Sequence, residues 1–279
     1  MPRCGSHRCS RKSIGDVGRE VSARFLLGGS VRRDSSNLKL SAKLTDAAVG
    51  QQAFEALQQA TQRELDYGPA WSALANLFAH AYIFERPNIE SPLEKATEYA
   101  RGDLALEPRS QLAHTIMAYL YLLRDELDLF HREADATLAL NPHSPNQGGT
   151  VGYLLVNSGE FERGATLLEQ AIAWNPCHPK WFHHALCTLH FQRSDYENAY
   201  KEALEVGFRV GFWDSAIKAA VLGKLGRVAE AETSANELLE LIPDFERCAR
   251  AIASRSMKSG ALVEDFLDGL RKAGLNIDG

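Results

Sequence analysis

The sequence has 279 residues, 45% of them hydrophobic and 24% charged, with a formal net charge of −5. That balance excludes a chain too polar to fold, and the length is sufficient to bury a sizeable core. No apolar run approaches the roughly 18 residues that a bilayer-spanning helix needs, so no membrane partner is expected.

Taken in chain order, the first residues, MPRCGSHRCSRKSIG, are basic, and the apolar stretch of a signal peptide does not follow them. Residues 1–43 hold ten Lys/Arg against three Asp/Glu, whereas the rest of the chain holds 21 against 33. This shift marks residues 1–22 as a basic arm, expected to be disordered. Such an arm can touch nucleic acid, but no aromatic residue interleaves its charges, and a solvated arm is the preferred reading. The five cysteines, Cys4, Cys9, Cys177, Cys187 and Cys248, are odd in number and contain no CxxC pair. That usage fits a reducing compartment, and a cytoplasmic address is expected.

Residues 23–50 change character. In LKLSAKLT, Leu38, Leu40, Ala42 and Leu44 alternate with Lys39, Ser41, Lys43 and Thr45, the period of a half-buried strand. ARFLLGGSVRR reads as its partner across a DSSN turn. A lone hairpin is only marginally stable, so it is expected to be the remnant of a larger α/β domain.

From residue 51 to 245 a longer period takes over. LALEP, LALNP and IAWNP end at Pro108, Pro142 and Pro176, each 34 residues after the last. Thirty-four residues is the tetratricopeptide (TPR) interval, in which small residues near positions 8, 20 and 27 let two helices approach. GTVGYLLVNSGEFERGATLLEQAIAWNP fills those slots with Gly152, Gly164 and Ala171. The copy before it keeps Ala118 and Ala134 but has bulky Phe130 at position 20. Pro243 comes 67 residues after Pro176, so two copies lie between them, one around Trp181–Ala203 and one around Ala219–Leu238. Upstream, PAWSALANLFAHAYIF and SPLEKATEYARGDLALEP form a pair split by a loop insertion, ERPNIE. QAFEALQQATQRELDYGP, with Ala53, Leu57 and Ala60, reads as a second helix lacking its first. The expected fold is therefore an all-α TPR solenoid of about five helix pairs with a short N-terminal β-hairpin. Residues 246–279 supply two further helices, FERCARAIASRSM and LVEDFLDGLRKAG, expected as caps.

Read in order, ARFLLGGSVRRDSSNLKLSAKLTDAAVG, GEFERGATLLEQAIAWNPCHPKWFHHAL, LGKLGRVAEAETSANELLELIPDF and FLDGLRKAGL make the chain similar to the C-terminal region of bacterial class III adenylate/guanylate cyclases. There a small α/β domain precedes the repeats. The resemblance spans about residues 20–275 and implies a signalling role without catalysis, because the cyclase catalytic domain is not in the sequence. Related tails occur in winged-helix transcriptional activators. Two readings stand: a TPR interaction module whose partner includes a cyclase-like catalytic domain, or the regulatory portion of a DNA-binding activator.

No enzyme site is expected. Nucleotide cyclisation needs paired metal-binding carboxylates on adjacent strands, and only Asp34 and Asp46 flank the strand-like segment. Gly28-Gly29-Ser30 lacks the spacing of a phosphate loop. The acidic run Glu230, Glu232, Glu237 and Glu240 reads as a solvated helix face. Cys177, His178, His183, His184, Cys187 and His190 carry the residue types of a metal site, with His183, Cys187 and His190 spaced along one helix face. Three ligands spread over two turns converge poorly on one ion, so no metal and no cofactor are expected, and satisfied histidines are the preferred reading. Cys187 with a neighbouring histidine lacks an oxyanion site.

The TPR pattern implies an inner surface formed by the first helix of each pair. Here that surface comprises Asn76, His80, Thr115, Tyr119, Asn146, Tyr153, Asn157, Lys180, His183, Cys187, His190 and Trp213. Its polar and aromatic composition suits a protein or peptide in a concave groove.

Overall fold

A computed structural model describes residues 28–34, 37–43, 57–59, 61, 63, 65–83, 89–206 and 212–278. The basic arm over 1–22 and Ala53 and Ala60 of the unpaired helix lie outside the described residues. The chain divides into two compact units, residues 1–63 and 64–279.

In the first unit, β1 (Gly28–Asp34) pairs antiparallel with β2 (Asn37–Lys43), with Val31 opposite Leu40 and Asp34 opposite Asn37. This is the hairpin that the period-two pattern predicts.

The second unit is helical among its described residues. Five pairs follow one another: α1 (Gly68–Ile83) with α2 (Pro92–Leu106), α3 (Gln111–Leu123) with α4 (Leu127–Leu140), and α5 (Pro145–Ser158) with α6 (Phe161–Trp174). They continue as α7 (Phe182–Gln192) with α8 (Tyr196–Glu205) and α9 (Phe212–Leu225) with α10 (Val228–Leu241). Two more helices end the unit, α11 (Phe245–Ser256) and α12 (Gly260–Lys272). Local chemistry sets the starts. Pro92 and Pro145 occupy the first turn of α2 and α5, where a missing N–H costs nothing. The side chains of Ser110, Asp195 and Ser259 cap α3, α8 and α12.

One conformation closes the first helix of four pairs. Asp125, Gly159, Ser194 and Gly226 all have positive φ, between 57° and 102°. The N–H of the next residue then returns to the carbonyl five residues back: Glu126 to Tyr121, Glu160 to Leu155, Asp195 to His190 and Arg227 to Leu222. This is the left-handed helix stop that satisfies otherwise orphaned carbonyls. The repeat thus recurs in backbone geometry even where glycine does not.

Packing within a pair follows the small-residue slots. A Cβ on Gly152 would stand 2.9 Å from the Gly164 carbonyl oxygen, and one on Gly164 would stand 2.7 Å from that of Gly152. The backbones of α5 and α6 therefore touch. In the preceding pair the fully buried Phe130 ring packs in a cluster with Ala118 and Leu122, so an alanine in the facing helix makes room for the bulk at position 20.

The last two helices fold back onto the solenoid. α12 lies against α9: a Cβ on Gly223 would be 2.1 Å from the Gly269 carbonyl oxygen, and one on Gly269 would be 2.5 Å from that of Ala220. Buried Lys224 ties the same pair, bonding Asp265 at 2.6 Å and also Asp268. α11 starts beside α9, with Phe245 and Phe212 rings 6.1 Å apart. It ends near α1, with the Arg255 guanidinium 5.4 Å over the Tyr82 ring. Just beyond it, the Lys258 N–H donates to the Asn157 carbonyl at 2.8 Å, and the Lys258 ammonium meets Asp125 at 2.7 Å. α11 thus reaches from the fifth pair to the first.

Candidate functional site

The first helices of successive pairs lay their inner residues side by side. Asn76 and His80 are exposed on α1, and the His80 ring lies 6.4 Å from that of Tyr119 on α3. Tyr119 neighbours Tyr153 on α5, whose ring meets Trp181, just before α7, edge-on at 5.0 Å. The rings of His80, Tyr119, Tyr153 and Trp181 therefore follow one another along successive pairs. Burial, with Tyr153 alongside, pushes the Tyr119 phenol well above the ordinary tyrosine range. Burial likewise raises Tyr153, opposed by a hydrogen bond with Asn157. Both phenols stay protonated at any physiological pH and can donate to a carbonyl or carboxylate.

Past Tyr153 lies a small pocket of about 50 Å³. Tyr153, Asn157, His184, Cys187, Thr188, Phe191, Trp213, Ile217 and Val221 line its floor, and Ser256, Met257, Leu262 and Phe266 line the side formed by α11 and α12. Four expected inner-face residues, Tyr153, Asn157, Cys187 and Trp213, therefore come together. The Trp213 ring packs against Phe266 at 6.2 Å, so the chain's own last helix covers that end. His184, Thr188 and Phe191 were missed because each stands one position after His183, Cys187 or His190, the positions the repeat pattern assigned to the inner surface.

The other expected residues turn elsewhere. Thr115 is buried, donating to the Gln111 carbonyl at 2.8 Å and meeting Thr137 of α4 at 3.4 Å. Asn146 is exposed at the start of α5, its carbonyl accepting from Thr150 at 2.7 Å. Lys180 pairs with Glu205 at 3.0 Å. His183 donates to Glu202 of α8 at 2.6 Å, and His190 pairs with Asp195 at 3.1 Å. His184 bonds Asp214 of α9 at 2.6 Å. His183, Cys187 and His190 thus share a helix but not a site. Burial, followed by the Glu202 charge, pushes the Cys187 thiol far up, so it is a neutral pocket-lining group and not a nucleophile. Glu230 and Glu237 lie on α10, a second helix, and Glu230 pairs with Arg227.

No protein-family model matches the sequence, and no curated protein matches it. Among solved structures, the chain is similar to one in the crystal structure of the APC/C hetero-tetramer Cut9–Hcn1. The TM-score is 0.58 at 14% identity, covering 81% of this chain and 44% of that one. This chain therefore spans less than half of that neighbour's length. The fold is a tetratricopeptide solenoid. A second similar structure, YrrB, described as a TPR protein with an unusual peptide-binding site, has a TM-score of 0.39 at 13% identity, covering 72% of this chain and 96% of that one. At that score it adds nothing to the assignment of this solenoid. Among the described residues, no helix is long and apolar enough to cross a membrane.

Proposed function

We propose that the solenoid is a non-catalytic interaction module that takes an extended peptide segment of a protein partner along His80, Tyr119 and Tyr153. The observation that carries this reading is the aromatic row on successive first helices. Tyrosine offers large contact area with few rotatable bonds and a polar tip that can bond a peptide carbonyl. The buried, protonated Cys187 and the carboxylate-locked histidines support a binding role over a catalytic one.

The partner we propose first is a cyclase-like catalytic domain on another chain. That choice rests only on the order of sequence phrases that resembles cyclase tails, and a cytoplasmic location rests only on the cysteine usage. The test is to titrate purified candidate catalytic domains into the full chain by calorimetry, using wild type, Tyr119→Ala, Tyr153→Ala and Glu230→Lys. A hot-spot tyrosine should cost about 2 kcal/mol, roughly a thirtyfold loss of affinity, and the α10 variant should bind like wild type. Equal losses in all three variants would remove the inner face as the site.

A further inference from the structure

The histidine-rich stretch between α6 and α8 contains one arrangement that neither the repeat nor the aromatic row requires. His178 precedes α7 and His183 lies in its first turn, and their Nε2 atoms face each other at 3.0 Å. On each ring the other nitrogen is already committed. His183 Nδ1 lies 2.6 Å from the Glu202 carboxylate, and His178 Nδ1 lies 3.2 Å from the Asn175 carbonyl. Both of those partners accept, so hydrogens on both Nδ1 atoms would satisfy both contacts. A neutral ring with its hydrogen on Nδ1 presents a bare lone pair at Nε2, and two such lone pairs 3.0 Å apart repel unless a cation bonded to both nitrogens draws them together. The alternative is a neutral His178 with its hydrogen on Nε2, which donates to His183 Nε2 and gives up the longer 3.2 Å contact.

We propose that His178 and His183 form a binding site for a divalent cation that favours imidazole in tetragonal geometry, Cu²⁺ above all, with water completing the coordination. Three observations converge on it. Nδ1 bonding to a carboxylate and to a backbone carbonyl is the outer-shell support that fixes the tautomer and orientation of metal-binding histidines. The spacing fits: with metal–nitrogen bonds of about 2.0–2.1 Å, ligands at right angles stand roughly 2.9 Å apart, and tetrahedral ligands roughly 3.4 Å. The surroundings carry carboxylates, because Glu202 and Glu205 lie on the facing helix α8, and Lys180 is held by Glu205 at 3.0 Å. The Glu205 carboxyl is held below its usual range by Lys180 first and by His183 and His178 after it. Among the described residues no group of three or more His, Cys, Asp or Glu converges on one point, so the site offers two protein ligands and exchangeable water positions. His178 is half-buried, which leaves the pair reachable from solvent.

The same 3.0 Å serves an N–H···N hydrogen bond if the His178 hydrogen sits on Nε2, and the experiment must separate the two. Cu²⁺ is titrated into the full chain in non-chelating buffer at pH 7.5 or so, where imidazole is neutral, and followed by calorimetry and electron paramagnetic resonance. Wild type should bind one equivalent with a tetragonal spectrum showing coupling to two nitrogens. His178→Ala should abolish that equivalent while leaving the thermal melt near wild type, and Glu202→Gln should weaken it by about 10–100-fold. His183→Ala should abolish the equivalent as well, and should that variant fail to fold, the other two still decide. An unchanged isotherm in His178→Ala would place the copper elsewhere, and no binding to wild type at tenfold excess would leave only the hydrogen bond. Either result overturns the site.

Discussion

Replacing Gly223 by alanine sets two opposing effects against each other. Alanine in a helix interior is favoured over glycine by about 1 kcal/mol, so on propensity alone the variant should gain stability. Against this, the new Cβ would sit 2.1 Å from the Gly269 carbonyl oxygen and 3.0 Å from the Ala273 nitrogen, both backbone atoms of α12 and its end. No rotamer relieves a backbone clash, so α9 and α12 must part by about 1 Å, a gap that forfeits a quarter to a half of each van der Waals contact it opens. The contacts at stake include fully buried Leu267 and Leu270. Overpacking costs typically about 1–3 kcal/mol and sometimes more. Here it acts on the interface that holds the last helix, and a net loss of about 2 kcal/mol is expected. For a domain of this size that lowers Tm by roughly 4–8 °C. Gly148→Ala is the control: it lies in α5 with nothing within 4 Å of its added Cβ, so it should be neutral or raise Tm. Thermal and urea melts of both variants provide the test. A Gly223→Ala protein at least as stable as wild type would mean that α12 does not pack on α9 as described.

Three further outcomes are expected. Ser194 holds a left-handed φ of 57° in an exposed turn, so Ser194→Gly should raise stability by up to ~1 kcal/mol, read as a higher urea midpoint at unchanged m-value. The Lys224 side chain is buried and bonds two partly exposed carboxylates of α12, so Lys224→Met should cost about 1 kcal/mol, read as a lower urea midpoint at unchanged m-value. The Asp268 carboxyl is held below its usual range by Lys224 and then Lys272, and that of Glu264 by Arg250. A depressed folded pKa gives stability that is fully present above the unfolded value of about 4 and is lost as pH falls through the folded values. Melting temperature should therefore drop below about pH 4, and less so in Glu264→Gln with Asp268→Asn.

The repeat was legible because its cause is local and periodic. Two helices can pair closely only if small residues recur where they cross, and a helix stop must follow every first helix. Gly152, Gly164 and the prolines 34 residues apart therefore write the pairs directly into the chain. The alternation of Leu38, Leu40 and Ala42 gave the β1–β2 pairing for the same reason. The left-handed stops at Asp125 and Ser194 were less visible, since the backbone geometry of the repeat imposes them on residues other than glycine. What only the tertiary structure decided is where surfaces without a partner in the repeat would go. A helix after the last pair can end the stack or fold back, and the apolar spacing of FERCARAIASRSM is the same in both cases. The glycines at 223 and 269, together with Lys224 between two aspartates, settle it by allowing α12 to press backbone to backbone on α9. α11 is thereby held beside α9, and Trp213 becomes a wall of a pocket. The histidines followed the same logic: sequence spacing placed His183, Cys187 and His190 on one face, whereas side-chain direction sent His183 toward Glu202 and His178. Spacing along a helix fixes which residues are neighbours on that helix. Which of them share a site depends on carboxylates and rings contributed by other helices, and those meet only when the solenoid closes.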